Sequence, residues 1–405
     1  MLVLVFYKSE ANMKGNAKKV YIIGAGLAGL SSAYALANKG VDVTIYESTK
    51  MAGGRCRSFH DEILDREIDN GNHLILGANN HVVNLIKKLN IEGRFYQKSA
   101  KTIWFNSLKN KDKYQLNLSV KTLFKILLAN KHQNIEEILG DEKLLKLIAL
   151  SIFNTKCDRV EIGELKKIIY KILLGGRNAL NAYIPKKSWS DGLINPLVEH
   201  IENKGINIHY NHPLKEIIFE NEVATKLKFT DKNIELSAND RIILATPPQI
   251  TAKFLPNTTI PNAFNPIVNV HFVLDHDRTG EIEGLVNSSV EWAFFKDGII
   301  STTSSDAGKL ADLTNQEIAD IVWGDLQKIM DLPDEIPPYR VIKEKRATIS
   351  CTPENLKLRP TTNTEYSNLF LAGDYVDTNL PATIESAVIS GQLAANKIDF
   401  ASVVS

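Results

Sequence analysis

One stretch, KKVYIIGAGLAGLSSAYALANKGVDVTIYES from Lys18 to Ser48, constrains the fold of this 405-residue chain more than any other. Val20 to Ile23 is a short apolar run, Leu30 to Leu36 carries small and apolar residues at helical spacing, and a second apolar run follows, so the pattern is strand, tight turn, helix, strand. Gly24, Gly26 and Gly29 form GxGxxG at the turn, and their reasons differ. Gly24 allows the turn, Gly26 lets the backbone approach a pyrophosphate, and Gly29 lets the helix pack closely on the strand. The helix start at Leu27 and Ala28 would present free N–H groups and the positive end of the dipole to that anion. Glu47, 18 residues after Gly29, ends the second strand, where a carboxylate accepts ribose hydroxyls. A lone GxGxxG is only a Gly-rich turn. With strand, helix and acid all in place, the stretch predicts an α/β, Rossmann-like dinucleotide-binding domain.

The motif alone does not separate NAD from FAD. The next residues do, because GGRCRS places Gly53 and Gly54 at a second close backbone approach and follows them with Arg55, a fixed cation suited to phosphate. Glu47 followed by this glycine doublet resembles the two-dinucleotide-binding-motif flavoproteins, the group that includes amine oxidases and carotenoid desaturases. The far end of the chain, NLFLAGDYVDTNLPATIESAVISGQLAANKI, supplies an apolar strand, Gly373, Asp374 and a loop into a helix beginning near Pro381. In the resembling flavoproteins the acid after this glycine binds the ribityl or pyrophosphate part of FAD, and the helix N-terminus faces the flavin pyrimidine oxygen. By position these roles fall to Asp374 and to the helix start at Thr383 and Ile384, and a helix N-terminus suits negative charge on a reduced flavin.

The resemblance then narrows. GGRCRSF, DNGNHLILGA, NPIVNVHFVLD, GLVNSSVEWAFF, EKRATISCTPENLKLRP and NLFLAGDYVDTNLPATIESAVISG occur in that order and resemble the hydroxysqualene dehydroxylases of bacterial squalene and hopanoid synthesis. This resemblance implies an FAD-dependent oxidoreductase that reductively removes the hydroxyl of hydroxysqualene, an apolar triterpenoid, to give squalene. It also implies an electron donor that reduces the flavin, which the sequence does not identify. Asn72 stands where that family more often has Gln, Tyr375 where Trp is usual, and Asn379 where Gly is common. Other FAD-dependent polyprenoid desaturases or isomerases on the same frame are the main alternative, ahead of an amine oxidase or a flavin-containing lipid carrier.

The domain reading follows from this order. Residues 18–98, 188–256 and 341–400 would build a discontinuous FAD domain, and 99–187 with 257–340 an inserted α+β substrate domain. Residues 1–17 read as an unstructured extension, with Met13 a second candidate start. Leu214 and Ile217 resemble the adenine-side strand, although a core role explains them equally well.

Net charge is +1, which gives no reason to expect nucleic acid, yet the charge is unevenly placed. Residues 101–187 hold 17 basic and 8 acidic residues, against 31 and 39 in the rest of the chain. GELKKIIYKILLGG puts Leu165, Ile168, Ile169 and Ile172 on one helical stripe flanked by Lys166, Lys167 and Lys171. One such helix is most simply a cap over a sheet. Three basic, apolar segments together predict peripheral docking on an anionic bilayer, from which a triterpenoid would enter. No apolar run reaches the ~18 residues of a spanning helix. Cys56, Cys157 and Cys351 are widely spaced and match neither a disulfide framework nor a metal site. The expected location is therefore cytoplasmic, at the inner face of the cell membrane, with no bound metal.

IDNGNHLILG, residues 68–77, sets an acid, two amides and a histidine against an apolar run. In a flavoprotein of this type it would pass beside the FAD: Gly71 as a close backbone approach, Asn70 and Asn72 at the flavin edge, Asp69 holding the loop. His73 has two readings, a structural histidine at a strand entrance or, with Asp69, the acid that protonates the departing hydroxyl. Asp377 and Glu291 are secondary acid candidates.

Overall fold

The computed structural model describes residues 19–398, apart from 38, 110 and 111, so the expected N-terminal extension lies outside the described residues. The expected first strand forms at Lys19–Ile23. It lies at the centre of a five-stranded parallel sheet in the order Asn207–His209, Asp42–Tyr46, Lys19–Ile23, Arg241–Leu244, Leu369–Leu371. The continuous apolar character of these strands has a simple cause, since both faces are covered. Val20 and Ile22 point into one core and Tyr21 and Ile23 into another. The first core holds the helices Leu27–Leu36 and Ile384–Lys397. These two helices approach so closely that a Cβ on Gly391 would sit 2.2 Å from the Ala28 carbonyl oxygen. The second core lies under a three-stranded antiparallel sheet built from Leu214–Glu220, Val223–Phe229 and Asn233–Glu235.

A seven-stranded sheet forms the other half, in the order Tyr339–Ile349, Phe264–Val273, Ile299–Ser304, Trp292–Lys296, Ile282–Val286, Trp104–Ser107, Lys113–Gln115. Two-residue alternation gives it two distinct faces. Val268, Val270, Phe272, Ala293 and Phe295 pack on Trp323 and its neighbours in the helix Asn315–Gln327. The opposite face carries Asn269, His271, Ser301, Thr303, Trp292, Phe294 and Lys296, and this is the face that receives the 69–73 loop. Tyr339–Ile349 pairs with Phe264–Val273 along most of its length, so the expected junction at 340/341 falls inside a strand of this sheet.

Beside the loop, an apolar cluster of Ile103, Phe105, Leu147, Ile184, Ile282, Val286 and Phe294 fills the space between the inner sheet face and the helix Lys143–Phe153. All three cysteines are buried free thiols. Among the described residues no helix is long and apolar enough to cross a membrane.

Candidate active site

The glycines act as their spacing predicts. Gly24 has φ +107°, and a Cβ there would lie 2.6 Å from the Ala245 carbonyl oxygen; on Gly29 it would lie 1.9 Å from the Gly24 carbonyl oxygen. Gly26, the N-cap of Leu27–Leu36, makes no side-chain cap, so the first-turn amides at Leu27 and Ala28 are available to an anion. Gly53 and Gly54 complete the cradle, with Gly26 bridging to Gly53 and a Cβ on Gly54 falling 3.3 Å from the Gly26 Cα. Glu47 is less free than a ribose acceptor ought to be. Its Oε2 accepts the Ala25 N–H at 2.8 Å, while Oε1 is taken by Ser48 and by the backbone and side chain of Thr49. Only Oε2 retains capacity for a hydroxyl.

Residues from the two ends of the chain meet at Arg55, whose guanidinium donates to the Asp374 carboxylate at 2.6 Å and to the Ala347 carbonyl at 2.5 Å. Burial lowers the Arg55 pKa, and the Asp374 carboxylate more than reverses that. A 37% share of the Arg55 side-chain surface stays open beside these bonds, so the guanidinium can still reach a ligand. Gly373 fits only without a side chain, because a Cβ would lie 2.5 Å from the Tyr375 ring. Thr383 caps Ile384–Lys397 by accepting the Ser386 N–H. Leu214 is partly buried at the start of its strand and Ile217 is core. An uncapped helix start, a glycine cradle and an accessible arginine fit a bound dinucleotide.

The 69–73 loop is held by partners on both halves of the molecule. Asn72 docks on the seven-stranded sheet: its amide donates to Ser301 Oγ (2.7 Å), Thr302 O (3.2 Å) and Thr303 Oγ1 (3.0 Å), and its oxygen accepts from Ser301 Oγ at 2.9 Å. A Cβ on Gly71 would meet Asn269 Nδ2 at an ordinary 3.6 Å, so this glycine is not forced by crowding. Asn70 hydrogen-bonds the Arg57 and Arg55 carbonyls through its backbone and side chain. Asp69 is tied firmly into the structure. It is buried, accepts from Ser58 Oγ at 2.6 Å and the Trp189 N–H at 2.9 Å, and pairs with Lys296. Burial pushes the Asp69 carboxyl up, but Lys296 and these donors outweigh it and hold its pKa below the ordinary value. His73 makes no hydrogen bond to Asp69. Its ring packs edge-on to Trp189, its Nε2 is buried without a partner, and burial lowers its pKa.

The secondary acid candidates differ in setting. Asp377 is exposed and caps the Asn379 N–H. Glu291, raised to about 7 by burial, accepts from the Ser305 N–H, and its own N–H bonds the carbonyl of Thr303, whose hydroxyl Asn72 reaches. Two of the three departures from the family pattern have local reasons. Asn379 holds φ 60°, a region Asn tolerates better than most residues, and Tyr375 is fully buried with its hydroxyl bonded to Thr251 Oγ1 at 2.8 Å. Sequence reasoning missed Lys296, His271 and Arg359. His271 bonds Ser301 Oγ at 2.8 Å and is lowered to about 4 by burial.

This fold and site define a flavin-dependent oxidoreductase whose cofactor is FAD. The family described as flavin containing amine oxidoreductase matches residues 27–170 and 170–399. An oxidoreductase structure from Methanosarcina mazei superposes with a TM-score of 0.74 at 17% identity, covering 93% of this chain and all of that one. The hydroxysqualene dehydroxylase of Zymomonas mobilis is 32% identical over 93% of this chain and 98% of its own length. The 15-cis-phytoene desaturase of Synechococcus elongatus is 23% identical over 94% and 95%. The chain belongs to the hydroxysqualene dehydroxylase family within the flavin-containing amine oxidoreductases.

Proposed function

We propose that this enzyme converts hydroxysqualene and reduced FAD to squalene, oxidised FAD and water. The carrying observation is the near full-length identity to a hydroxysqualene dehydroxylase. The allylic C–O bond breaks and the oxygen leaves with a proton as water, while reduced FAD, when bound, would supply the hydride that replaces it on carbon. The chain's own part is to enclose and orient. The partly buried Leu74, Tyr96 and Trp292 at the margin of the apolar cluster around Phe105, Ile184 and Phe294 suit a polyprenoid chain, and the Asp69–Lys296 floor marks where polar chemistry begins. His73, with its unpartnered Nε2, is the residue we assign to the departing hydroxyl. Proton donation of this type contributes ~10²–10⁴-fold, so His73→Gln should keep its FAD and lose turnover by that order. Undiminished turnover would leave His73 a structural residue.

Membrane docking belongs to the same reading, with a changed set of residues. Lys166 donates to the Leu127 and Ala129 carbonyls, Lys167 pairs with Glu164, and Lys171 pairs with the buried Glu385. These lysines serve the fold. What faces outward is apolar: Val120, Phe124 and Leu128 at i, i+4, i+8 of the helix Val120–Leu128, and Tyr170, Leu173 and Leu174 at the end of Ile162–Leu174. Exposed Lys121 and Lys125 flank the first stripe. An apolar stripe with cationic borders suits an anionic bilayer, the source of a water-insoluble substrate.

Product analysis tests the assignment. Reduced enzyme supplied with hydroxysqualene in detergent should yield squalene. Oxidised enzyme that instead introduces double bonds into a polyene would favour a desaturase.

A further inference from the structure

Asp374 to Leu380, the segment between the last strand of the parallel sheet and the helix Ile384–Lys397, forms no helix or strand, so no ladder fixes its carbonyls. One side chain from outside the segment collects four of them. Arg359 donates through Nε to the Tyr375 carbonyl (3.1 Å), through Nη1 to Leu380 (2.5 Å), and through Nη2 to Asp374 (3.0 Å) and Val376 (2.7 Å). The neighbouring Pro360 carbonyl accepts the Asp377 N–H at 2.8 Å, which fastens the same segment once more. Asp374 is therefore held from both ends, its carbonyl by Arg359 and its carboxylate by Arg55. Ser386, in the first turn of the following helix, reaches the Asp374 carbonyl and Thr378, so the loop and the helix start are set together.

We infer that Arg359 is the positioning residue of the flavin site, acting through this loop to set Asp374 and the N-terminus of Ile384–Lys397 against the cofactor. A guanidinium is suited to this because its five N–H groups spread in a plane and reach carbonyls on different sides; an ammonium offers three from a single point. Burial works against the charge and lowers its pKa, yet the grip is made wholly of backbone acceptors, which a neutral side chain of this length would satisfy only in part. The inference rests on FAD binding and not on which polyprenoid is reduced.

The test compares Arg359→Lys and Arg359→Gln with the unaltered holoenzyme. FAD dissociation on dilution is followed by flavin fluorescence, the environment of bound flavin by visible circular dichroism, and folding by far-UV melting in saturating FAD. We expect both variants to fold with a Tm close to that of the unaltered chain in saturating FAD. The FAD Kd should rise roughly 10- to 100-fold, the equivalent of one such charged hydrogen bond, with a changed flavin dichroism. Lys should not rescue. An unchanged Kd would overturn the inference, as would a fall in Tm with Kd and dichroism preserved. Failure of both variants to fold would equally make Arg359 a residue of general stability rather than of flavin position.

Discussion

Lys296 and Asp69 are 14% and 1% exposed at their side chains and stand on different halves of the molecule, one on the seven-stranded sheet and the other on the flavin-side loop. Removing one member of such a pair leaves the other charged and dry. Lys296→Met should therefore cost about 3–5 kcal/mol, and adding Asp69→Asn should recover much of it. Urea unfolding of the single and double variants measures this; a single variant within ~1 kcal/mol of the parent would mean that water reaches the pair. His271 adds a pH dependence whose sign is fixed by its lowered pKa. The unfolded histidine binds a proton below its ordinary 6.5, whereas the folded one resists until about 4. Stability is thus complete above 6.5 and declines as pH falls toward 4, by about 3 kcal/mol from this group. His271→Asn should flatten that slope in denaturation measured at several pH values. Neither residue was legible in the sequence. A lysine just before the Asp297–Gly298 turn reads as solvent-facing, and the His271 partner, Ser301, lies 30 residues away.

The strand-turn-helix element was legible because its glycines answer to local sterics, which sequence spacing records directly. That gives a sharp expectation: Gly29→Ala, with its Cβ 1.9 Å from a carbonyl oxygen, should push the first helix off the strand and yield protein without FAD. Stoichiometric FAD in the purified variant would contradict it. The insert helices were legible in pattern but not in orientation. Ile162–Leu174 buries Leu165 and Ile169 as its stripe predicts, while Lys166 and Lys171 are consumed by partners distant in sequence. Helical periodicity identifies a face that is buried; it does not say which cation has found a carboxylate, and Glu385 lies 214 residues from Lys171. The outward stripe Val120, Phe124, Leu128 has the same spacing as a buried one, so only packing reveals that it is left open.

At the scale of the whole molecule, the proposed function has the open stripe rest on a bilayer and the apolar residues beside the polar loop lead a greasy substrate to the flavin. Leu128→Glu with Leu174→Glu should abolish flotation with anionic liposomes and leave FAD content unchanged, whereas unaltered flotation would remove these helices from the contact. Neutralising Lys166, Lys167 and Lys171 should lower stability instead, since each has a structural partner. The central claim is tested most directly without air: the bound FAD is reduced, hydroxysqualene is added in detergent, and the flavin absorbance is followed in time. The account predicts recovery of the oxidised-flavin spectrum with one squalene formed per flavin. A flavin that stays reduced in the presence of hydroxysqualene would contradict it.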